Sequence, residues 1–400
     1  MVTGSTRTRT IVCLFWVLAF AAIPIWIQTD APGWDLQIYR NALHSMQAGH
    51  DPYADGIAVQ ETFHSQLAMH PNDTPPYTYV YSPITLPLLR VAADLPGWLS
   101  GSLYWLLYVA GILAAIWVGM QAATPGERGF FVFLAPVAAF FPGLLVQDNL
   151  LSGNVAYIFY GLILVTALVG WRRGEWKWFY LAALAASCFK APMLSVLVIP
   201  VLSARRQWLP ACVTGVAGVG LFAMQPLIWP ALFHHYLKAL ALQFSYNHDF
   251  GFSPAGLLGY ALDHVGVAYS PATTIFYVLY ALSLFCLLFY FSRQFLEGRF
   301  SLEQWMPVLL MGVILLNPRI MIYDVAPLTI LMGLIVWRFF SGVAKPARAM
   351  LLCALFFLAI NLFILVWTPI LVWKSTDGVL LMVVFAVGCW NLARARQGIA

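Results

Sequence analysis

Apolar runs long enough to form membrane-crossing helices recur from one end of this chain to the other, and charge is nearly absent within them. A bilayer core of about 30 Å takes about 20 apolar residues as helix. Full spans are expected near 11–29, 100–122, 130–146, 155–170, 209–229, 271–292, 304–316, 325–340, 349–369 and 378–393, the shorter of them packed among neighbours. The fold class that follows is all-α, a polytopic membrane helical bundle. Composition agrees: 62% of the 400 residues are apolar and 9% charged, against about 25% charged in a soluble protein. A water-facing Rossmann or barrel enzyme and a disordered chain are excluded. The net charge of +5 is modest and the basic residues are scattered, which argues against a nucleic-acid-binding module. The first run follows Arg7 and Arg9 as a signal sequence would, but it is long and has no clear A-x-A site after it, so an uncleaved anchor is expected. No repeat or low-complexity tract divides residues 1–400, which read as a single integral-membrane domain. Cys13, Cys188, Cys212, Cys286, Cys353 and Cys389 lie in or beside apolar runs without a CxxC or Cys/His spacing, and read as buried small apolar residues.

One apolar stretch, 178–204, does not fit as a span. Basic clusters flank both ends, Arg172, Arg173 and Lys177 before it and Arg205 and Arg206 after it, and Lys190-Ala191-Pro192 sits in the middle. A single crossing would put one cluster outside, against the positive-inside rule. Two helices of about 12 residues, each rising about 18 Å, instead enter and return, with Lys190 and Pro192 at the apex of a half-membrane hairpin. Irregular backbone is tolerated at that depth where it lines a protein or water cavity. With the hairpin, 15 Lys and Arg fall on the cytoplasmic side and five outside: Arg40, Arg90, Lys238, Arg319 and Lys374. A single crossing would flip everything downstream and leave 9 inside against 11 outside. Both termini are therefore expected in the cytoplasm.

This topology sorts the remaining polar residues. All eight histidines, every aspartate and 12 of the 16 acids fall outside; the inner acids are Glu127, Glu175, Glu297 and Glu303. The outer loops 30–99 and 230–270 are long and rich in Asp, His, Tyr, Trp and Pro. Loops beyond about 15 residues are functional or disordered, and these are too aromatic for disorder. The working face is expected to be extracytoplasmic. Leu36, Tyr39, Leu43 and Met46 have helical spacing, so residues 36–48 are expected to form an amphipathic helix on the membrane surface, ending at Gly49.

The first outer loop opens Gly33-Trp34-Asp35-Leu36-Gln37-Ile38-Tyr39-Arg40, continues through Gly49-His50-Asp51-Pro52-Tyr53, and closes on Tyr79-Val80-Tyr81-Ser82-Pro83. An aspartate just after the first span, a Tyr four residues on, a Gly-x-Asp-Pro-Tyr element and a Tyr-x-Tyr-Ser-Pro run resemble glycosyltransferase family 87. Gln147-Asp148-Asn149-Leu150-Leu151-Ser152-Gly153-Asn154 is similar to that family's Gln/Gly-Asn element, Lys190-Ala191-Pro192 to its Lys-x-Pro element, and Arg205-Arg206-Gln207-Trp208 to the basic turn after it. The likeness covers residues 30–100 and 140–210 and fades beyond 230. Where many members carry Ser-Pro and then His, this chain reads Asn317-Pro318-Arg319 and then Tyr323-Asp324.

The resemblance implies a membrane-embedded C-type glycosyltransferase fold of about ten spans plus one short helical hairpin, with amphipathic helices in the first outer loop. It implies transfer of a sugar, mannose in the best-known bacterial members, from a polyprenyl monophosphate carrier to an extracytoplasmic glycolipid or glycan. The site would then face the periplasm of a bacterial plasma membrane and need no cofactor, with the carrier lipid and the acceptor as partners beside membrane lipid, and no nucleic acid.

Each candidate residue carries two readings. Asp35 is the general base that takes the acceptor hydroxyl's proton by resemblance, and a helix N-cap by spacing. Lys190, an ionisable group at membrane depth, either binds the leaving phosphate or pairs with Asp148 or another acid. Arg319 suits bidentate phosphate contact, or pairs with Asp324, or snorkels to headgroups. Asp324 is a second acid or that partner. Tyr39, Tyr79 and Tyr81 hold a sugar or anchor the interface. Gln147 and Asn154 bind sugar hydroxyls or satisfy helix ends. His248 suits a polar sugar contact. The spacings of His234, His235, His248 and His264 match no metal-ligand pattern, so no metal is expected. The competing class is a transporter or lipid-linked sugar flippase, which also uses intramembrane charge and discontinuous helices. A two-fold hydropathy repeat would mark it, and none is visible. A membrane acyltransferase would want a histidine at the end of a span.

Overall fold

The computed structural model describes residues 34–66, 78–127, 153–247, 251, 253–265, 271–356, 359 and 376–396. The spans expected at 11–29 and 130–146, most of that at 349–369, and the candidates Gln147 and His248 lie outside the described residues, as does Asp148. Among the described residues the chain is helical, and its β-contact is an isolated bridge between Gly251 and Ile320. Five helical stretches are long and apolar enough to cross a membrane: Gly97–Gln121, Trp208–Ile228, Pro271–Leu296, Tyr323–Ser341 and Gly378–Ala395. They make this an integral membrane protein.

Among the described residues three α-helices build the first loop: α1 (Trp34–Gln47), α2 (Ala54–Gln66) and α3 (Leu86–Asp94). The apolar face of α1 packs against protein. Leu36 and Ala42 are buried in the protein, with Tyr39 and Met46 packed beside them, and Gln37, Arg40, Asn41 and His44 are exposed. Helical spacing reports an apolar face but not whether protein or lipid covers it. In this loop α3 is the helix with an exposed apolar stripe, Leu88 and Val91, continued by Leu95 and Trp98. It packs on α1, and Gln47 Nε2 donates to the Ala93 carbonyl at 3.2 Å.

The spanning helix α4 (Gly97–Gln121) crosses α5 (Ala156–Arg173) at a pair of glycines. A Cβ on Gly111 would fall 2.4 Å from the Tyr157 carbonyl oxygen, and one on Gly161 would fall 2.5 Å from Gly111 Cα. Backbones approach this closely only where side chains are absent.

Helix α6 (Lys177–Phe189) ends as Lys190 turns extended, at φ −136° and ψ 98°. The chain then returns through a 3₁₀ stretch, Ala191–Leu197, and α7 (Val198–Ser203). The two legs fold back on each other: Tyr180 OH, near the start of α6, reaches Gln207 just past the end of α7. The return leg is more tightly wound than an α-helix at its start. Pro192 supplies no N–H there, and Met193 N–H bonds the Lys190 carbonyl three residues back at 2.9 Å.

Helix α8 (Trp208–Ile228) packs on the hairpin and leads into α9 (Pro230–Asn247), which lies over α2. Lys238 pairs with Glu61 at 2.7 Å, and His235 Nδ1 with Asp51. Next come α10 (Pro254–His264), α11 (Pro271–Leu296) and α12 (Leu302–Leu315). Ser301 starts α12 with a reciprocal capping box to Gln304. The run expected at 304–316 is packed among its neighbours: every residue from Trp305 to Leu315 is buried, and 14 residues rise only about 21 Å. A helix apolar on all sides belongs inside. Short turns at 322–328 run on into α13 (Thr329–Ser341); α14 (Pro346–Phe356) and α15 (Thr376–Arg396) follow.

One end of the bundle is fastened by Arg338, on α13. Its guanidinium donates to Glu127 Oε1 and Oε2, both at 2.8 Å, and to the carbonyls of Ala122 at 2.9 Å and Glu303 at 2.7 Å. Arg172 and Arg394 bond neighbours at this same end. The other end holds the polar cluster described next.

Candidate functional site

Asp35 stands in the first turn of α1, inside the helix rather than at its cap. It is 9% exposed, and its Oδ2 accepts a hydrogen bond from Asn154 Nδ2 at 3.0 Å. Gly153 makes that meeting possible. Its φ is +64°, and a Cβ there would fall 2.9 Å from Leu36 Cβ. Asn154 precedes α5, and its Oδ1 accepts from Ala156 N–H at 2.9 Å and from Lys190 Nζ at 3.4 Å. Two donors on the oxygen side turn the amide NH₂ toward Asp35. One amide therefore joins the carboxylate from the first loop to the ammonium from the hairpin.

Lys190 projects from the hairpin apex. Its Nζ lies 3.7 Å from the centre of the Tyr323 ring, a cation–π contact. Asp324 and Asp35 are both within electrostatic reach of the ammonium, and so is Arg319. Among the described residues no carboxylate lies within ion-pair distance of it. Asp324 is 4% exposed, and its two oxygens accept from Tyr160 OH at 3.0 Å and from Met321 N–H at 2.9 Å. The Arg319 backbone is turned by Asn317, whose Oδ1 accepts the Arg319 N–H at 3.1 Å. The isolated bridge brings Gly251 to Ile320, the next residue.

Tyrosines close the other side. The hydroxyls of Tyr39 and Tyr81 share a hydrogen bond of 2.6 Å, and Val155 N–H donates to Tyr39 OH at 3.3 Å. Burial first, and the negative charge of Asp35 with it, holds both phenols well above their ordinary range, so they remain hydroxyls. The Tyr81 carbonyl accepts from Tyr53 OH at 2.6 Å. The Asp51-Pro52-Tyr53 element thus fastens the 78–82 segment, and Asp51 Oδ1 holds Tyr53 N–H at 2.8 Å. Tyr79 sits one layer back, with its hydroxyl bonded to Thr85 Oγ1 at 2.5 Å and its ring centre 5.5 Å from that of Tyr81.

Electrostatics sets the state of Asp35. Burial raises its pKa from 3.8 to about 6, opposed in part by the Asn154 hydrogen bond and by the charge of Lys190. The carboxylate is mostly ionised at pH 7, yet far more basic than a surface aspartate. Such a group can take a proton from a hydroxyl, with a cation close by to meet an anion.

Of the ten candidates, seven meet here: Asp35, Tyr39, Tyr81, Asn154, Lys190, Arg319 and Asp324. Tyr79 supports them, and Gln147 and His248 lie outside the described residues. Asn154 spends both ends of its amide on the protein. Three residues that spacing did not single out belong to the cluster. Tyr104 donates to the Gly153 carbonyl, Tyr160 holds Asp324, and Tyr323 lies under Lys190. Tyr104 and Tyr160 stand in otherwise apolar helices, and Tyr323 stands beside Asp324 in a short turn. Among the described residues no group of three or more His, Cys, Asp or Glu could hold a metal. In comparisons with known proteins the chain matches no family model, no curated protein and no solved structure.

Proposed function

We propose that this chain is an integral-membrane glycosyltransferase. It moves a sugar, mannose by the resemblance to glycosyltransferase family 87, from a polyprenyl monophosphate carrier to an extracytoplasmic glycolipid or glycan. The observation that carries this reading is the Asp35–Asn154–Lys190 bridge, a base and a cation held one amide apart by elements distant in sequence. Transfer from a sugar phosphate needs that pair, one at the attacking oxygen and one at the leaving oxygen.

The acceptor hydroxyl oxygen bonds to the anomeric carbon while its proton passes to Asp35. The bond from that carbon to the phosphate oxygen breaks, and its electron pair leaves with the polyprenyl monophosphate. Lys190 and Arg319 meet the charge that grows on the phosphate. The resemblance implies attack opposite the leaving group and inversion of the anomeric carbon, so that a β-linked donor gives an α-linked product. The hydroxyls of Tyr39 and Tyr81 are offered to the sugar. Asn154 is a positioning residue that orients Asp35. The sorting of charge favours a site on the extracytoplasmic face of a bacterial plasma membrane with both termini inside. Arg172, Arg338 and Arg394 gather at the end opposite Asp35.

Buried Asp35, Lys190 and Asp324 in one cluster also suit a proton-coupled carrier. Reconstituted protein given polyprenyl-phosphate-[¹⁴C]mannose and host lipid extract separates the two. The expected result is label in a new glycolipid with release of polyprenyl monophosphate. Movement of intact donor across the bilayer without a new glycoside would establish the carrier instead.

A further inference from the structure

The hairpin that carries Lys190 at its apex closes at its base, at the end of the bundle remote from Asp35. Tyr180 OH donates to the Gln207 carbonyl at 3.2 Å and to Gln207 Oε1 at 3.0 Å. That contact sets Arg205 and Arg206 against the turn bearing Lys177. The packing of Trp176 on Gly170, where a Cβ would fall 2.6 Å from the indole, folds Arg172 and Arg173 onto the same turn. Five exposed cations share one patch, and Glu175, exposed among them, is the acid in it.

The described residues do little to neutralise them. Arg172 donates to the neutral Gln121 Oε1 at 2.7 Å, and the Lys177 ammonium lies 5.4 Å from the Trp178 ring. Among the described residues no carboxylate stands within 4.0 Å of any of the five. Arg206 has φ 63°, the left-handed region that L side chains rarely adopt. The rim of the patch is apolar: Trp178, Leu181, Trp208 (62% exposed) and Leu209 point outward, and Trp208 begins the spanning helix α8. A topological signal needs positive charge on one side of the membrane. It does not need the cations of three helix ends drawn together in one place beside two exposed tryptophans.

We infer that this patch binds the headgroup phosphate of an anionic phospholipid. The phosphate takes the hydrogen bonds of Arg173, Lys177, Arg205 and Arg206, and the acyl chains cover Trp178, Trp208 and the leucines beside them. The apolar rim, with Trp208 at the start of a spanning helix, puts the cations beside the bilayer, within reach of a headgroup phosphate. Bound across both legs, the lipid holds the hairpin closed and so steadies the apex that presents Lys190. This inference does not depend on the transfer reaction.

Native mass spectrometry of the full chain, released from nanodiscs of mixed phosphatidylglycerol and phosphatidylcholine, tests it. The expected result is retention of phosphatidylglycerol over phosphatidylcholine by the wild type and by Arg90→Gln, a control at an exposed cation in α3. Arg205→Gln/Arg206→Gln should lose that preference by about 30-fold. If the double variant does not fold, Arg173→Gln should lose about fivefold. Equal retention of the two lipids by the wild type, or an undiminished preference in the variants, overturns the proposal. So does displacement of the lipid by inorganic phosphate at equal concentration, which would mark a simple anion site.

Discussion

Asp35 is a carboxylate placed where ionisation is costly. Its pKa in the folded chain, about 6, lies above the ordinary 3.8. The folded state therefore holds the proton more tightly than the unfolded one, and stability falls as pH rises between these values. At pH 7 the ionised group costs up to about 3 kcal/mol. Asp35→Asn should thus unfold at a higher temperature than wild type at pH 7, while transfer drops by at least about 100-fold. A variant that is both less stable and inactive would point to a structural role. The rate should fall with acidification through a midpoint near 6, as the base is protonated. Asn154→Ala should move that midpoint upward in kcat/KM, because the hydrogen bond it removes favours the charged form. Mere loosening of the site would lower the rate at every pH and leave the midpoint in place. Asp35 was legible through the family resemblance, its spacing alone reading as a helix N-cap, and Lys190 was legible for a physical reason, as a charge at membrane depth, where an unused charge is expensive. Tyr104, Tyr160 and Tyr323 were not, because a tyrosine in a span serves equally as an interface anchor, and spacing does not say where a hydroxyl points. The bonds that Asn154 makes to both Asp35 and Lys190 were also invisible, being set by the turn at Gly153.

Helix α4 carries Tyr104, and α5 carries Tyr160 with Asn154 just before its start, so their crossing sets one side of the site. Gly161→Ala would push a methyl against Gly111 and should destabilise the fold by about 1–3 kcal/mol, read as a lower thermal midpoint in detergent. At the opposite end, Arg338→Met leaves Glu127 without its partner and two carbonyls without their donor. A loss of about 3–5 kcal/mol is expected, much of it recovered by adding Glu127→Gln; no recovery would mean the pair is not what fastens this end. The return of the chain at Lys190-Ala191-Pro192 is readable from its flanking cations, but the 3₁₀ winding of 191–197 follows from local donor loss that an apolar pattern does not report. Residues 36–48 gave the right helix but not its neighbour, since α1 buries its stripe on protein and α3 exposes one.

Across the whole molecule the described residues divide into an end rich in Asp and Tyr and an end fastened by arginines, with five helices long and apolar enough to cross between them. Apolar length shows that a helix avoids water, and α12 illustrates the remainder: lipid and protein core look alike to the sequence. The site gathers α1, the 78–82 segment, α4, α5, the hairpin apex and residues 317–324, so it forms only when these distant elements come together. In the proposed reaction Asp35 drives sugar transfer from a lipid monophosphate beside Lys190. Its most direct test is the turnover of polyprenyl-phosphate-[¹⁴C]mannose by wild type and Asp35→Asn, both purified, folded and reconstituted in the same lipid. A labelled glycoside and free polyprenyl monophosphate are expected from the wild type alone. Comparable turnover by Asp35→Asn would contradict it.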